Sequence, residues 1–254
     1  MSVRIFALTY PQLMSQALHQ DGAGQQGWSD PALTQLRHAY EYAEEWFDGF
    51  YRGQGQPFIC HLVRTASIVL SEDQPIEVVA ASLLHSAYLL GRFQNELLEK
   101  PTEKERTSLR EAVGEDVEAL IWDYHCFSWY RNENLDVHLT HLDRYDKGMR
   151  QLLLIRLANE LEDHLDLAMA YRGTRSFLEE IEGYGPRCVA LAKRLGQTRL
   201  AGELEEVFAA HREARISEAL QTKKRFSYKW PGRVQRDEGL VKKVRRLVQT
   251  RFSF

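Results

Sequence analysis

Two stretches of the chain decide its fold: residues 39–61, AYEYAEEWFDGFYRGQGQPFICH, and residues 78–91, VVAASLLHSAYLLG. The first completes an amphipathic helix, passes through a loop with two glycines and reaches His61 at the start of the next helix. The second is an apolar helical segment that contains His85 and Ser86. A polar site in a helical protein needs side chains that converge from different helices, and these histidines are the first candidates.

Helical periodicity dominates the rest of the chain as well, and no series of alternating strands is evident. Pro31, Pro57 and Pro75 each mark the start of a helix. The predicted helices cover about 30–49, 57–70, 75–91, 109–120, 149–171, 176–195 and 198–221, with Gly183, Gly185 and Pro186 interrupting the helix at 176–195. The sequence therefore predicts an all-α protein.

Three motifs, GQPFICH at 55–61, AASLLHS at 80–86 and RLANELED at 156–163, resemble the HD-domain phosphohydrolase fold. The resemblance is strongest to the hydrolase domain of the bifunctional guanosine tetra/pentaphosphate enzymes, and it covers about residues 34–171. It implies a helical bundle with extra C-terminal helices. That family holds a divalent metal with a His, a second His, a His-Asp pair and a late Asp.

The resemblance carries the metal ligands over one residue at a time. His61 matches the second family His, and His85 matches the His of the His-Asp pair. Phe47 stands where the family has its first His, Ser86 stands at the Asp of the pair, and Asn159 stands at the late Asp. Each replacement loses an imidazole or a carboxylate, so the site has little negative charge left for a hard cation.

The catalytic acids of the guanosine tetraphosphate hydrolases are also missing, because Leu89 and Leu90 occupy those positions. We therefore expect no cofactor, with a weakly bound divalent metal as the alternative. Its ligands would be His61, His85 and Asn159, helped by the acidic residues that follow Asn159. The His-Ser pair also resembles an uncharacterised branch of HD-like proteins, which favours a repurposed pocket.

The candidate site residues combine the two histidines with polar neighbours. The candidate catalytic residues are His61, His85 and Ser86. The candidate binding residues are Tyr88, Asn159, Glu162, Asp163 and Arg52. On a continuous helix the His85 and Ser86 side chains would point about 100° apart, and Tyr88 would share a similar face with His85. The structural alternative is that both histidines are buried and hydrogen-bonded to Asn159 and Ser86, where they hold helices together.

Composition narrows the class of protein. No apolar run approaches the roughly 20 residues needed to span a bilayer, and the N-terminus lacks the apolar region of a signal peptide. Cys60, Cys126 and Cys188 are far apart and form no CxxC pair, so neither a zinc knuckle nor a disulfide framework is indicated. A reducing cytoplasm is the expected location.

Charge is distributed unevenly along the chain. Residues 222–254 carry 11 Lys/Arg and 2 Asp/Glu, a net of +9, while the rest carries 22 against 34, a net of −12. This basic tail either packs on the acidic body or contacts phosphate groups of a nucleic acid, a lipid or a polyanionic substrate.

We expect an N-terminal extension at 1–28, an HD-like core at 29–175, C-terminal helices packing on the core at 176–221, and the basic tail at 222–254.

Three functions remain open. The first is a catalytically degenerate HD-like protein that binds a small molecule or nucleotide. The second is a metal-free or weak-metal enzyme that uses His61, His85 and Ser86 on a phosphorylated or glycosylated substrate. The third is a polyanion-binding module that uses the tail, and a homo-oligomer is compatible with each.

Overall fold

The computed structural model describes residues 5–19, 28–90, 101–127, 129, 132–172, 175–221 and 228–229. The helices are α1 (Tyr10–His19), α2 (Asp30–Trp46), α3 (Phe58–Ser71), α4 (Ile76–Leu83), α5 (Ala87–Leu90), α6 (Glu103–Val113), α7 (Glu115–Cys126), α8 (Asn132–His141), α9 (Lys147–His164), α10 (Arg175–Arg194) and α11 (Thr198–Glu213). Two short antiparallel strands, β1 (Phe50–Tyr51) and β2 (Tyr228–Lys229), pair with each other. The all-α class is confirmed.

Helices α3, α4 and α9 form the centre of the bundle. Almost every residue of α4 is buried, and α9 is buried continuously from Leu152 to Glu162. A helix that is buried on all sides needs neighbours on every side. Helices α2 and α7 pack against α4, α1 packs against α3, and α11 packs against α9.

The predicted helix starts agree with the structure. Helix α2 begins at Asp30 with Pro31 in its first turn, α3 begins directly after Pro57, and α4 begins directly after Pro75. Proline is favoured at these positions because its fixed φ suits a helix start and its missing N–H would have no partner there.

The prediction of one continuous helix from Pro75 to Gly91 was wrong. Helix α4 ends at Leu83, residues 84–86 form a turn, and α5 begins at Ala87. The Ala87 N–H donates to the carbonyl oxygen of Leu84 at 2.9 Å, which closes the turn. His85 and Ser86 therefore lie on a turn, and the expected 100° separation does not apply to them.

Two C-terminal predictions also differ from the structure. Helix α9 ends at His164 rather than at Tyr171, because Asp166 and Leu167 both adopt φ of 57°. Helix α10 runs without interruption through Gly185 and Pro186. A Cβ atom at Gly185 would lie 3.1 Å from the ring of Phe208, so this glycine lets α11 approach α10 closely.

The N-terminal segment includes α1, and the backbone N–H of Ala7 donates to Oγ of Ser67 in α3 at 2.8 Å. Most of the basic tail, including the helix predicted at 239–252, lies outside the described residues. Among the helices that are described, none is long and apolar enough to cross a membrane. The domain limits and the cytoplasmic location stay predictions.

Candidate functional site

His61 lies in the first turns of α3 and its side chain is 1% exposed. Its Nε2 atom lies 3.0 Å from Nη1 of Arg52. Because a guanidinium only donates hydrogen bonds, Nε2 must accept, and the ring proton must reside on Nδ1. Nδ1 then donates to the Oε2 atom of Glu162 in α9. Both ring nitrogens of His61 are therefore engaged, with their roles assigned by the partners.

Arg52 reaches this site from the turn between β1 and α3. The Arg52 N–H donates to the carbonyl of Gln56 at 2.8 Å, and the Gly55 N–H donates to the carbonyl of Arg52 at 2.8 Å. Gly55 has φ of 92°, which glycine tolerates without steric cost. The turn directs the Arg52 side chain inward, where Nη2 donates to Asp163 and Nη1 donates to His61.

Glu162 joins three elements of the site. Besides accepting from His61, it lies 3.4 Å from Nε2 of Gln56 and 3.9 Å from Nε of Arg64, both through Oε1. Burial raises the pKa of Glu162 to about 7, an effect that the charges of Arg52 and Arg64 oppose. Burial therefore favours the protonated form of Glu162, whereas the surrounding hydrogen-bond donors favour the carboxylate.

Asn159 lies one helical turn before Asp163 on α9. Its Nδ2 atom is 3.5 Å from Oδ2 of Asp163, the limit of a hydrogen bond. Asp163 is therefore contacted by Asn159 on its own helix and by Arg52 from the turn. The expected hydrogen bond from Asn159 to a histidine is not among these contacts, because His61 instead binds Arg52 and Glu162.

His85 is 2% exposed and packs between two other rings. Its Nδ1 atom lies 2.7 Å from the carbonyl oxygen of Ser82, so Nδ1 carries the proton. The ring centroid is 5.3 Å from that of His61 and 4.9 Å from that of Tyr124. Burial, followed by the neighbouring His61, holds the pKa of His85 well below its usual value. His85 is therefore neutral near pH 7.

The structure brings His61, Arg52, Glu162 and Asp163 together, with the ring of His85 edge-on to that of His61. The expected hydrogen bond between His85 and Ser86 is replaced by one from His85 to Ser82. Ser86 is buried in the turn after α4, where its carbonyl accepts from the N–H of Leu89 at 3.0 Å. Tyr88 is directed elsewhere, because its hydroxyl donates to Glu118 of α7 at 2.7 Å.

Phe47, which the resemblance places at the family's first His, is buried in the hydrophobic core. Its exposed fraction is 2%, and its ring stacks on Phe58 with centroids 4.9 Å apart. An aromatic pair at this separation packs well and provides no metal ligand.

The metal-ligand side chains that the structure brings together are not the three that the resemblance predicts, His61, His85 and Asn159. Within the part of the chain that the structure describes, His61, Glu162 and Asp163 place ligand atoms within 4.8 Å of one another. His85 is not a member of that set. A divalent metal does not fit these donors as they stand, because the Arg52 guanidinium contacts both His61 Nε2 and Asp163.

A cavity of about 410 Å³ lies beside this cluster. Glu162 forms part of its wall and connects it to His61. Among the residues that the structure describes, its lining consists of Gln54, Gln56, Arg64, Glu162, Leu165, Asp166, Ala168, Tyr171 and Leu220. Its volume lies within the range of pockets that bind small molecules.

Sequence reasoning missed most residues of this cavity. Gln56 and Arg64 flank His61 in the sequence, and Arg64 lies three residues after it on the same helical face. That spacing was a usable signal for Arg64. No comparable signal marked Asp166 or Leu220. Both reach the cavity only because of the course that the backbone takes in the folded protein, where Asp166 accepts a hydrogen bond from Arg64 Nη1 at 2.7 Å.

A protein family described as a domain of unknown function (DUF6817) matches residues 49–128. The match spans about a third of the chain. It includes the turn that bears Arg52, both histidines and Ser86, and it ends before α9.

Among solved structures, the chain is similar to a metazoan ortholog of SpoT that hydrolyses ppGpp and plays a role in starvation responses. The identity is 19%, the alignment covers 73% of this chain and 98% of the other, and the TM-score is 0.49. No curated protein matches the chain.

Proposed function

We propose that this protein is an HD-like binding protein without metal-dependent phosphohydrolase activity. Its ligand would be a small molecule of the nucleoside or nucleotide class, bound in the cavity beside His61. The observation that carries the proposal is this cavity of about 410 Å³, whose wall includes Glu162, the partner of His61. The pocket thus borders His61, which the resemblance aligns with a metal ligand of the family, and the proposed binding requires no metal.

The cavity lining supports a ligand with a planar, hydrogen-bonding part. Gln54 and Gln56 supply amides that both donate and accept, and Tyr171 supplies an aromatic ring. In the described part of the lining, the charged groups are Arg64 and two carboxylates, Glu162 and Asp166. This balance is poor for enclosing a polyphosphate, so we propose that the pocket takes the nucleoside part and leaves any phosphates outside.

Backbone strain at the cavity wall also supports a binding role. Asp166 and its neighbour Leu167 both adopt φ of 57°, which costs non-glycine residues on the order of 1 kcal/mol or more each. Such strain concentrates at ligand sites. Here the Arg64–Asp166 ion pair, at 2.7 Å, holds the strained segment against α3.

The enzyme alternative has weaker support. His61 would have to release Arg52 before Nε2 could accept a proton, and the lowered pKa of His85 makes it a poor base near pH 7. The polyanion-binding alternative depends on residues 222–254, of which the structure describes 228–229.

The test is binding of nucleosides, nucleoside monophosphates and guanosine tetraphosphate, measured by calorimetry in the presence of EDTA. We expect saturable binding by one of these classes that persists without metal. Gln54→Ala and Tyr171→Ala should each weaken binding by at least about tenfold, equivalent to about 1.4 kcal/mol.

Glu41→Gln is the matched control, because Glu41 lies on α2 with a side chain that is 54% exposed and pairs with Arg37. This variant should bind as the wild type does. Binding that requires a divalent metal, or that is unchanged in both cavity variants, would contradict the proposal. Failure of every compound class to bind would contradict it equally.

A further inference from the structure

We propose that the Arg52 guanidinium is the resident cation of this site and takes the position of a divalent metal. Removing Arg52 would then expose a metal site formed by Nε2 of His61 and the carboxylate of Asp163, with Glu162 orienting the His61 ring from its Nδ1 side. This inference concerns the cation position alone and does not depend on which ligand enters the neighbouring cavity.

The first argument is the direction of the donors. His61 Nε2 and Asp163 Oδ1 both accept from the same guanidinium. On its opposite side, the His61 ring gives its Nδ1 proton to Glu162. A histidine that donates to a carboxylate through one nitrogen and faces a cation through the other has the arrangement of a metal-ligating histidine. Here the cation is part of the chain.

The second argument is charge. Glu162 and Asp163 are adjacent acids whose side chains are 1% and 18% exposed. Two carboxylates in such an interior need a nearby cation, because desolvation of a charge costs several kcal/mol. Arg52, whose side chain is 9% exposed, pairs with Asp163, and its charge also acts on Glu162. Nε of Arg64 lies 3.9 Å from Oε1 of Glu162, so Arg52 is the cation that serves Asp163. A divalent metal beside Arg52 would place a third positive charge in the same space, so the two cations exclude each other.

The third argument is that the backbone positions Arg52 for this role. The turn at 52–56 is closed by two hydrogen bonds of 2.8 Å, from Arg52 N to Gln56 O and from Gly55 N to Arg52 O. The preceding residue, Tyr51, pairs with β2 and forms a bridge with Pro57. The guanidinium is therefore delivered by an ordered turn between β1 and α3.

The test uses Zn²⁺ alone as the probe, because imidazole and carboxylate ligands suit this ion. Wild-type protein and Arg52→Ala are titrated at pH 7.5, and metal content is measured after dialysis. We expect Arg52→Ala to bind one equivalent of Zn²⁺ roughly 100-fold more tightly than the wild type does. Zn²⁺ should also raise the thermal midpoint of this variant.

Two further variants separate charge from packing. Arg52→Lys keeps a positive charge and should bind Zn²⁺ as weakly as the wild type. The double variant Arg52→Ala/Asp163→Asn should lose the gain in affinity, because it lacks one of the exposed ligands. Arg52→Gln is a second vacated site, and it should bind Zn²⁺ as Arg52→Ala does.

Three results would overturn the inference. The first is a stoichiometric metal in the wild type that is lost in His61→Ala. The second is equal Zn²⁺ affinity in Arg52→Lys and Arg52→Ala. The third is failure of both vacated variants to gain Zn²⁺, including failure of Zn²⁺ to restore folding to a variant that does not fold alone.

Discussion

The hydroxyl of Tyr88 donates a 2.7 Å hydrogen bond to Oε1 of Glu118. The same carboxylate accepts from Arg106 at 2.7 and 3.0 Å and from Arg110 at 3.1 Å. Burial alone would raise the pKa of Glu118, but the hydrogen bonds from Arg106, Tyr88 and Arg110 hold it below its usual value. This cluster ties α5 and α6 to α7, and it explains why Tyr88 is directed away from His85.

Glu118→Ala should destabilise the protein by about 3 kcal/mol, because it leaves the Tyr88 hydroxyl and the Arg106 guanidinium without their buried acceptor. Urea denaturation measures the loss. Glu103→Ala is the control, since Glu103 also pairs with Arg110, at 2.8 Å, but is 68% exposed. That variant should lose less than about 1 kcal/mol. Equal losses in the two variants would contradict the prediction that burial makes the Glu118 contacts more stabilising than those of Glu103.

Glu160 should make stability depend on pH. Burial raises its pKa to about 7, helped by the charge of Asp163, although Trp129 donates to Oε1 at 2.9 Å. Between about pH 4.5 and pH 7, Glu160 is therefore protonated in the folded state and ionised in the unfolded state. This contribution is complete at low pH, and it is lost as the pH rises through about 7.

Glu160→Gln should flatten the decline in unfolding free energy between pH 5 and pH 8. The neutral amide can still accept from Trp129, and it removes a decline on the order of 3 kcal/mol. Part of the decline should remain, because Glu162 titrates in the same direction and range, while the lowered pKa of His85 acts in the opposite direction in both proteins. The measurement is urea denaturation at several pH values. The control is Glu205→Gln, whose side chain is 65% exposed, and an equal effect there would refute the assignment.

Gly185 should tolerate no side chain, whereas Gly202 should. A Cβ at Gly185 would lie 3.1 Å from two ring atoms of Phe208, and a Cβ at Gly202 would meet nothing within 4 Å. Overpacking in Gly185→Ala should cost about 1–3 kcal/mol, which exceeds the gain of about 0.5–1 kcal/mol in helix propensity, so we expect a net loss of stability. Gly202→Ala, within α11, should stabilise the protein by about 0.5–1 kcal/mol. Thermal unfolding compares the two, and a stabilised Gly185→Ala would contradict the close packing of α10 on α11.

Local signals predicted the beginnings of helices better than their interruptions. Pro31, Pro57 and Pro75 act through their own backbone geometry, so their effect is readable from neighbouring residues. The break at residues 84–86 lies in a segment that is buried on every side. Almost all of its residues are apolar, so the hydrophobic pattern does not change where the helix ends. Gly185 was interpreted as an interruption, but it serves the approach of Phe208 from another helix.

The sequence led to the expectation of an incomplete set of metal ligands, because the resemblance places Phe47, Ser86 and Asn159 where the family has an imidazole and two carboxylates. It named Arg52, His61, Glu162 and Asp163 as members of the site, without their pairing. The pairing depends on contacts across 101 residues for His61–Glu162 and 111 residues for Arg52–Asp163. Such contacts follow from the path of the backbone, and Coulomb attraction in a buried site acts only on groups that folding brings within a few ångströms.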